Sequence, residues 1–237
     1  MGVEGILKRA GRMKEMLESV YGYNSSFLLD KKQKELLERI LFAMTIVDRK
    51  FFYHGGEAYL DSALPVGEGQ TISQPSTVAR MLLLAELEEG DDVLEVGSGS
   101  GWNASLISFL VYPGNVASVE RFLSLKEKAW KNLSELRNYL KQNKPENHIK
   151  LSKVNFHAEN IFEKGKAWKN KYDKIIITAG INEGEEDKIE MLAKNLLKNK
   201  GLLICPHISG PLIMLRKDGG LKKSYTKEEY VFVPLLQ

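Results

Sequence analysis

A short apolar run followed at once by a glycine-rich turn is the feature that most limits how this chain can fold. Residues 93–101 read Val-Leu-Glu-Val-Gly-Ser-Gly-Ser-Gly, with three glycines at alternate positions. Glycine adopts backbone conformations that other residues avoid, and it allows a ligand to approach the main chain closely. A strand, such a turn and a following helix are typical of doubly wound α/β proteins, which bind ligands at the carboxyl ends of their strands. A tight turn without a ligand is the alternative.

Apolar runs alternate with amphipathic segments through the rest of the chain after Pro75. The pattern predicts helices over 75–90, 102–110, 123–140 and 189–197. It predicts strands over 93–96, 116–120, 151–156, 174–178, 202–204, 212–216 and 230–233. The alternation implies an α/β fold: a doubly wound, mostly parallel, seven-stranded sheet with helices on both faces. Because no helix separates the last two strands, they imply an antiparallel hairpin at the C-terminal edge.

The first part of the chain predicts a helical appendage. Apolar residues recur at helical spacing over 6–20 and again over 36–47, where Asp30 is the expected N-cap, and a turn is predicted at 21–26. Periodicity disappears over 51–69 while aromatics and glycines accumulate, which predicts a long ordered loop. Loops of this length are usually functional or disordered. We therefore expect two parts, 1–74 and 75–237, that form one compact unit.

Composition argues against several classes of function. Cys205 is the only cysteine and the four histidines are scattered, so we expect neither a disulfide nor a metal site. No apolar run reaches the roughly 18 residues of a membrane span, and no signal-peptide block is found, so we expect a cytoplasmic protein with no membrane partner. Basic residues are concentrated between Lys126 and Lys174. Such a stretch is more often a solvated helix face than a nucleic-acid site, so no nucleic-acid partner is expected.

The glycine pattern separates two kinds of nucleotide cofactor. A dinucleotide fingerprint requires Gly or Ala three positions after its second glycine, where this chain has the bulky Trp102. The pattern E-x-G-x-G-x-G instead resembles motif I of class I methyltransferases, whose ligand is S-adenosyl-L-methionine. That resemblance implies a cofactor contact for these residues of the motif: Glu95, Gly97, Ser98, Gly99 and Gly101.

Polar residues at two further strand ends extend the predicted cofactor site. Glu120, followed by Arg121, ends the second strand, and a carboxylate there can accept both ribose hydroxyls. A solvated strand-end Glu is the alternative. Glu159 and Asn160 follow the third strand, where methyltransferases of this class often keep an acidic residue near adenine. Strand-end turns favour such polar residues in any case.

Residues 48–80 narrow the family. Their most distinctive parts are Asp48-Arg49, Ala58-Tyr59-Leu60-Asp61, Leu64-Pro65-Val66-Gly67 and Gly69-Gln70-Thr71-Ile72-Ser73-Gln74-Pro75. These motifs resemble the signature of the protein-L-isoaspartate O-methyltransferase family, which is close to D-R…F…A-Y…D…P-I-G-x-G-Q-T-I-S-x-P. The resemblance continues through motif I to Thr178-Ala179 and Val233-Pro234-Leu235, and so covers most of the chain after Asp48.

The resemblance implies an activity and a set of site residues. Gln70, Ile72 and Thr178 would border the cofactor, and Thr71 and Ser73 would act at the catalytic centre, with Ser73 at the position of the family's active-site serine. A helix N-cap ahead of Pro75 is a second interpretation of Ser73. The implied reaction transfers methyl from S-adenosyl-L-methionine to the free carboxylate of isoaspartyl residues in damaged proteins and peptides, which is a repair reaction.

Three departures from the family pattern concern substrate contacts more than cofactor binding. Ala158-Glu159-Asn160 replaces Gly-Asp-Gly, residues 182–187 lack the family's Ile-Pro, and Pro206-His207 lies where the family has Pro-Val-Gly. A non-catalytic member that binds the cofactor or a protein partner is therefore one alternative.

An RNA or other methyltransferase is a second alternative, and it would suit the basic stretch. However, methylation of amino groups usually employs an Asn/Asp-Pro-Pro-aromatic motif after the fourth strand, where this chain has Thr178-Ala179-Gly180. A base-attacking cysteine would have to be Cys205, and a free cysteine at the end of a buried strand is commonly a packing residue.

Overall fold

The structure is a computed structural model that describes residues 2–164 and 169–236, so that Lys166 of the basic stretch lies outside the described residues. Within these ranges the helices are α1 (Val3–Arg9), α2 (Lys14–Ser25), α3 (Lys31–Ile46), α4 (Pro75–Leu84), α5 (Trp102–Val111), α6 (Leu123–Asn143), α7 (Pro145–His148), α8 (Ile161–Lys164) and α9 (Glu186–Leu196). The strands are β1 (Leu64–Gly67), β2 (Gln70–Ile72), β3 (Val93–Val96), β4 (Val116–Glu120), β5 (Val154–Ala158), β6 (Tyr172–Ile177), β7 (Leu197–Pro206), β8 (Ser209–Gly210), β9 (Leu212–Lys217), β10 (Leu221–Tyr225) and β11 (Tyr230–Val231).

A seven-stranded sheet organises the described residues, in the order β10-β9-β7-β6-β3-β4-β5. The five strands from β7 to β5 in this order pair in parallel. Strand β9 runs antiparallel to β7, and β10 runs antiparallel to β9. The predicted doubly wound, mostly parallel sheet with antiparallel C-terminal strands is therefore confirmed. Its strand order reverses at β3, so the carboxyl ends of β3, β4 and β6 meet where such sheets bind ligands.

Both faces of the sheet are covered. Ile176 and Leu202 belong to a buried cluster that also contains residues of α1 to α6, whereas Ile175 and Leu203 belong to a second cluster formed with α9. Alternation with a period of two is the pattern of strands buried on both faces. Because the N-terminal helices share the first cluster, they pack on the same core that supports the sheet.

The N-terminal helices follow the predicted apolar spacing. Asp30 caps α3: its Oδ1 accepts from the Gln33 amide at 2.8 Å, and the Gln33 side chain accepts from the Asp30 amide at 3.1 Å. This reciprocal pair satisfies two amides at the helix start. The turn predicted at 21–26 is wrong, because α2 continues to Ser25. Asn24 within it is fully buried and donates to the carbonyls of Val20 and Ser76, which anchors this otherwise exposed helix end to α4.

Part of the predicted long loop at 51–69 is a β-hairpin. Strands β1 and β2 pair antiparallel, with Leu64 opposite Ile72 and Pro65 opposite Thr71. The turn between them has positive φ at Gly67 (112°), Glu68 (53°) and Gly69 (68°). These strands have too few alternating positions to be recognised from periodicity, since β1 buries only Leu64 and Val66.

The C-terminal hairpin has a different partner from the one predicted. Strand β9 pairs with β10, whereas residues 230–231 pair with 209–210 in a separate two-stranded sheet. Four of the five residues of β10 are exposed, so the strand lacks the apolar alternation used for prediction. Lysines on such an edge strand discourage pairing with another chain.

Several predicted boundaries are also wrong, among them the starts of α9 at Glu186 rather than 189 and of β7 at Leu197 rather than 202. Helix α4 ends at Leu84 rather than near 90, and Glu86 has a φ of 52°, a left-handed conformation that stops a helix. Residues 149–151 form a 3₁₀ turn, so β5 begins at Val154. No helix in the described ranges is long and apolar enough to cross a membrane.

Candidate active site

The glycine loop leaves β3 in a conformation that requires glycine. Gly97 has a φ of +100°, and a Cβ placed there would lie 2.4 Å from the Thr178 Oγ1. That hydroxyl donates to the carbonyls of Val96 (3.1 Å) and Gly97 (2.7 Å), which ties the ends of β3 and β6 together. Gly101 has a φ of +86°, and its absent Cβ allows the loop to contact Ala129 of α6. The loop is therefore fixed on two sides.

Glu120 lies at the end of β4 and faces the glycine loop. Its Oε2 accepts from the Gly99 amide at 2.9 Å, and its Oε1 accepts from the Phe122 amide at 3.1 Å. An ionised carboxylate offers about four acceptor positions. Each oxygen can therefore accept a further hydrogen bond, as binding to a pair of ribose hydroxyls requires.

Glu95 supports the loop from beneath. The side chain is fully buried. Its carboxylate accepts from the Asn103 side-chain Nδ2 at 2.8 Å and from the Ser118 hydroxyl. The Ser118 hydroxyl in turn lies 2.6 Å from that of Ser98 in the loop. Burial raises the pKa of Glu95 to about 8. Glu95 is not among the residues that line the cavities, so the structure connects it to the predicted cofactor site through Ser98.

Two adjoining cavities lie across the carboxyl ends of β3, β4 and β6. The first is lined by residues at β2, the glycine loop and the ends of β4 and β6, among them Gln70, Thr71, Ile72, Ser73, Gly97, Ser98, Gly99, Glu120 and Thr178. The second is lined by Arg121, Glu159 and Asn160, among others, at the ends of β4 and β5. Gln70, Gly97, Glu120 and Ala179 border both cavities. All the predicted site residues except Glu95 and Gly101 lie on these walls.

Thr71 and Ser73 place two hydroxyl groups on the wall of the first cavity. Within the described part of the chain, neither hydroxyl donates to or accepts from another protein group. Ser73 is not the N-cap of α4, because Gln74 holds that position and makes no side-chain cap hydrogen bond. The interpretation of Ser73 as a helix cap is therefore wrong, and its hydroxyl remains available to a ligand.

The hairpin that carries these residues is tied to α6. The Lys128 ammonium donates to the Val66 carbonyl at 2.7 Å, and the Ser124 hydroxyl donates to the Glu68 carboxylate at 2.7 Å. These contacts hold β2 beside the glycine loop. Sequence patterns did not reveal them, since lysine and serine on a helix surface are usually solvated.

Several cavity residues were not predicted as site residues. Val78 and Met81 of α4 and Val233 near the C-terminus supply apolar walls to the first cavity, and Asn103 of α5 supplies a polar one. Val233 belongs to the C-terminal motif of the family resemblance, and that motif was the sequence feature that could have placed it in the site. Val78 and Met81 have no such feature, because an apolar residue on a helix is more often part of the core.

Two of the departures from the family pattern contact each other. His207 Nε2 lies 3.1 Å from the Glu186 carboxylate, and its Nδ1 lies 3.0 Å from the Pro211 carbonyl. Glu186 also accepts from Lys223 at 2.7 Å and from Tyr225 at 2.9 Å. The cluster lies outside the two cavities, so these departures alter the surroundings of the cleft and not its walls.

The cleft fits an S-adenosylmethionine rather than a dinucleotide. Trp102, 1% exposed, fills the position where a dinucleotide site needs a small residue, and its Nε1 donates to the Val47 carbonyl at 2.9 Å. Glu120 keeps acceptor capacity for a ribose, and the glycine loop opens onto the same cavity. No group of side chains suited to a metal ion occurs within residues 2–164 and 169–236. Fold and site together define the chain as a member of the S-adenosylmethionine-dependent methyltransferase superfamily.

Comparison with known proteins identifies the family. Residues 24–237 match the model of the protein-L-isoaspartate(D-aspartate) O-methyltransferase family, PCMT. A Pyrococcus abyssi protein-L-isoaspartate O-methyltransferase is 35% identical over 238 residues, which cover 98% of this chain and 96% of that protein. One from Pelodictyon phaeoclathratiforme is 34% identical over 230 residues, which cover 88% of this chain and 93% of that protein. The chain belongs to the protein-L-isoaspartate(D-aspartate) O-methyltransferase family.

Solved structures agree on the fold. A Plasmodium falciparum protein described as a protein-L-isoaspartate O-methyltransferase, crystallised with S-adenosyl-L-homocysteine, superposes with a TM-score of 0.72 at 23% identity. The match covers 94% of this chain and 98% of that chain. The superposition supports the fold, N-terminal helices included.

Proposed function

We propose that the protein transfers a methyl group from S-adenosyl-L-methionine to the free carboxylate of isoaspartyl residues in damaged proteins and peptides. The observation that carries this proposal is the position of the segment 70–73. Its hydroxyl-bearing residues, Thr71 and Ser73, line the same cavity as the glycine loop and Glu120. Family membership supplies the substrate class, and this cavity supplies a place where such a carboxylate could meet a methyl donor.

The chain offers a separate group of residues to each part of the cofactor. Glu120 would accept from the ribose, and the glycine loop at 97–101 would face the amino-acid portion. Arg121, Glu159 and Asn160 line the second cavity and would surround the adenine. When bound, S-adenosyl-L-methionine supplies a methyl group activated by a sulfonium.

The protein's catalytic task is to orient the substrate. A carboxylate has an unperturbed pKa of about 4, so it is already a nucleophile near neutral pH and needs no general base. Neither cavity is lined by histidine or cysteine. Hydroxyls of Thr71 and Ser73 can donate to a carboxylate and aim one of its oxygens, and such positioning supplies a large part of enzymatic rate enhancement.

Cys205 does not support a mechanism in which a cysteine attacks the substrate. It is fully buried in β7, on the face of the sheet covered by α9. Burial raises the pKa of its thiol, which opposes formation of a thiolate nucleophile.

We propose that the partners of the protein are isoaspartyl proteins, and we propose neither a nucleic-acid partner nor a membrane partner. A single buried cysteine is consistent with the reducing cytoplasm as the proposed location.

A matched pair of peptides tests the function. One sequence is synthesised with an isoaspartyl and with an aspartyl residue, and methyl transfer from labelled S-adenosyl-L-methionine is measured for both. We expect at least a tenfold preference for the isoaspartyl form. Equal rates, or label incorporated only into RNA, would contradict the proposal. If the protein binds S-adenosyl-L-homocysteine but transfers methyl to no acceptor, it would instead be a non-catalytic member of the family.

A further inference from the structure

Arg49 is a completely buried cation next to the segment that carries Ser73. Its guanidinium donates to five main-chain carbonyls from two parts of the chain. Nη1 donates to Ala58 (2.9 Å) and Leu60 (3.1 Å), and Nη2 donates to Ser62 (3.0 Å), Ile72 (3.4 Å) and Ser73 (3.0 Å). One side chain thus joins the loop before β1 to the residues that end β2.

The dipoles of these carbonyls stabilise the Arg49 cation without an ion pair in the described residues, and its Nε has no hydrogen-bond partner there. The nearby carboxylate of Asp61 is occupied by the hydroxyl of Ser19 and by the amide and hydroxyl of Ser76. The guanidinium also lies 5.2 Å from the centroid of the Trp102 ring. Burial lowers the pKa of Arg49 to about 10, so it remains charged near neutral pH. A buried charge is tolerated only where hydrogen bonds satisfy it.

We propose that Arg49 is a positioning residue that sets the backbone of Ser73, so that the Ser73 hydroxyl is aimed at the substrate carboxylate. The inference rests on the function proposed above. The carbonyls of Ile72 and Ser73 belong to the two peptide units that flank the Ser73 Cα, and both point at Nη2. Fixing both peptide planes fixes φ and ψ of Ser73, and with them the direction of the Cα–Cβ bond that carries its hydroxyl.

Only a guanidinium suits this arrangement. The two terminal nitrogens lie in one rigid plane and serve two separate groups of carbonyls. Nη1 donates to those of Ala58 and Leu60, and Nη2 donates to those of Ser62 and Ser73. A lysine ammonium places all its donors on one atom and lacks the planar fork. It can keep the buried charge but cannot hold both groups in place. Small displacements of an orienting group can lower the rate of the chemical step by about a hundredfold.

The test compares Arg49→Lys with the control variant Arg39→Lys. Arg39 also donates to a main-chain carbonyl, that of Leu110 at 2.6 Å, but Leu110 lines neither cavity, whereas Ile72 and Ser73 line the first. We expect Arg49→Lys to lower kcat for the isoaspartyl peptide at least tenfold while affinity for S-adenosyl-L-homocysteine stays within about twofold. Arg39→Lys should change neither. Unchanged kcat in Arg49→Lys, or a parallel loss of ligand affinity, would overturn the proposal.

A double variant shows whether the effect passes through Ser73. If Arg49 acts by placing the Ser73 hydroxyl, Arg49→Lys should lower kcat less than about twofold in a Ser73→Ala background. A merely structural contribution would instead lower kcat by the same factor in both backgrounds, which would overturn the proposal.

Amide order parameters from NMR relaxation test the positioning without any assay of activity. In the parent protein, Ser73 and Gln74 should show values near 0.85, typical of rigid backbone, and Arg49→Lys should lower them toward 0.6. Flexible amides in the parent would overturn the proposal even if the variant does not fold, and unchanged amides in a folded Arg49→Lys would do the same. A parent enzyme that is inactive on isoaspartyl peptide refutes the proposed function, and the order parameters then still decide whether Arg49 fixes Ser73.

Discussion

Removal of the Glu120 carboxylate is the most direct perturbation of the proposed cofactor site. This carboxylate accepts from the Gly99 and Phe122 amides at 2.9 and 3.1 Å and borders both cavities. Glu120→Ala therefore removes the ribose acceptor and frees one amide of the glycine loop. We expect the variant to fold, because the side chain lies at a strand end and contributes nothing to the apolar core.

The expected magnitude follows from the hydrogen bonds between the carboxylate and the ribose. A hydrogen bond to a charged group contributes about 1.5 to 3 kcal/mol, which corresponds to roughly tenfold to a hundredfold weaker binding when it is absent. Glu120→Gln should fall between the parent and Glu120→Ala, because its amide oxygen can still accept from Gly99 or the ribose but its nitrogen cannot. The order of the three affinities is thus part of the prediction.

Calorimetric titration with S-adenosyl-L-homocysteine measures these affinities, and circular dichroism confirms that each variant is folded. Glu86→Ala is the control, because Glu86 pairs with Arg216 at 2.7 Å and lies outside both cavities. Its affinity should equal that of the parent. A folded Glu120→Ala that binds as tightly as the parent would refute the assignment of Glu120 to the ribose.

Three further predictions concern catalysis and stability. The value of kcat/KM should fall as pH drops through about 4 to 5, where the substrate carboxylate protonates, and stay level above about 6. Ser73→Ala should lower that plateau without moving the midpoint, and an inflection near 6.5 would indicate a histidine base instead. Gly97→Ala should destabilise the protein by about 1 to 3 kcal/mol in denaturant unfolding, because the added Cβ meets the Thr178 Oγ1 at a φ of +100°; unchanged stability would contradict this geometry. Burial raises the pKa of Glu95 from 4.5 to about 8, so folded protein keeps a proton that unfolded chain releases. Stability should therefore decrease with rising pH between these values by about 1.4 kcal/mol per pH unit, and Glu95→Gln should remove this part of the slope.

The site residues that could be predicted from sequence are those with a local signal. Gly97, Glu120 and Thr178 each lie at the end of a buried strand, and the carboxyl ends of neighbouring parallel strands meet at one edge of the sheet. A strand, its end and the residue after it are adjacent in sequence, so short motifs identify them. Ser73 was found only through resemblance, since nothing in its own neighbourhood distinguishes a helix cap from an active-site hydroxyl.

The hydrogen bonds that hold the site together could not be predicted in this way. Arg49 binds main-chain carbonyls up to 24 residues away, and every residue type has a carbonyl, so the partners leave no mark in the sequence. Lys128 reaches the Val66 carbonyl in the same manner. Strand β10 was missed for a different reason, because an exposed edge strand needs no apolar alternation.

The contact between His207 and Glu186 has an evolutionary consequence. Each residue lies in a segment that departs from the family pattern, and each supplies the other with a polar partner at 3.1 Å in a largely buried position. The dependence runs in one direction. Substitution of Glu186 alone would leave the His207 Nε2 without its partner in a buried position, which is unfavourable, whereas Glu186 without His207 would still accept from Lys223 and Tyr225. Among related sequences, histidine at this position should therefore occur together with a carboxylate at the first position of α9, and lineages that have the histidine without the carboxylate should be rare.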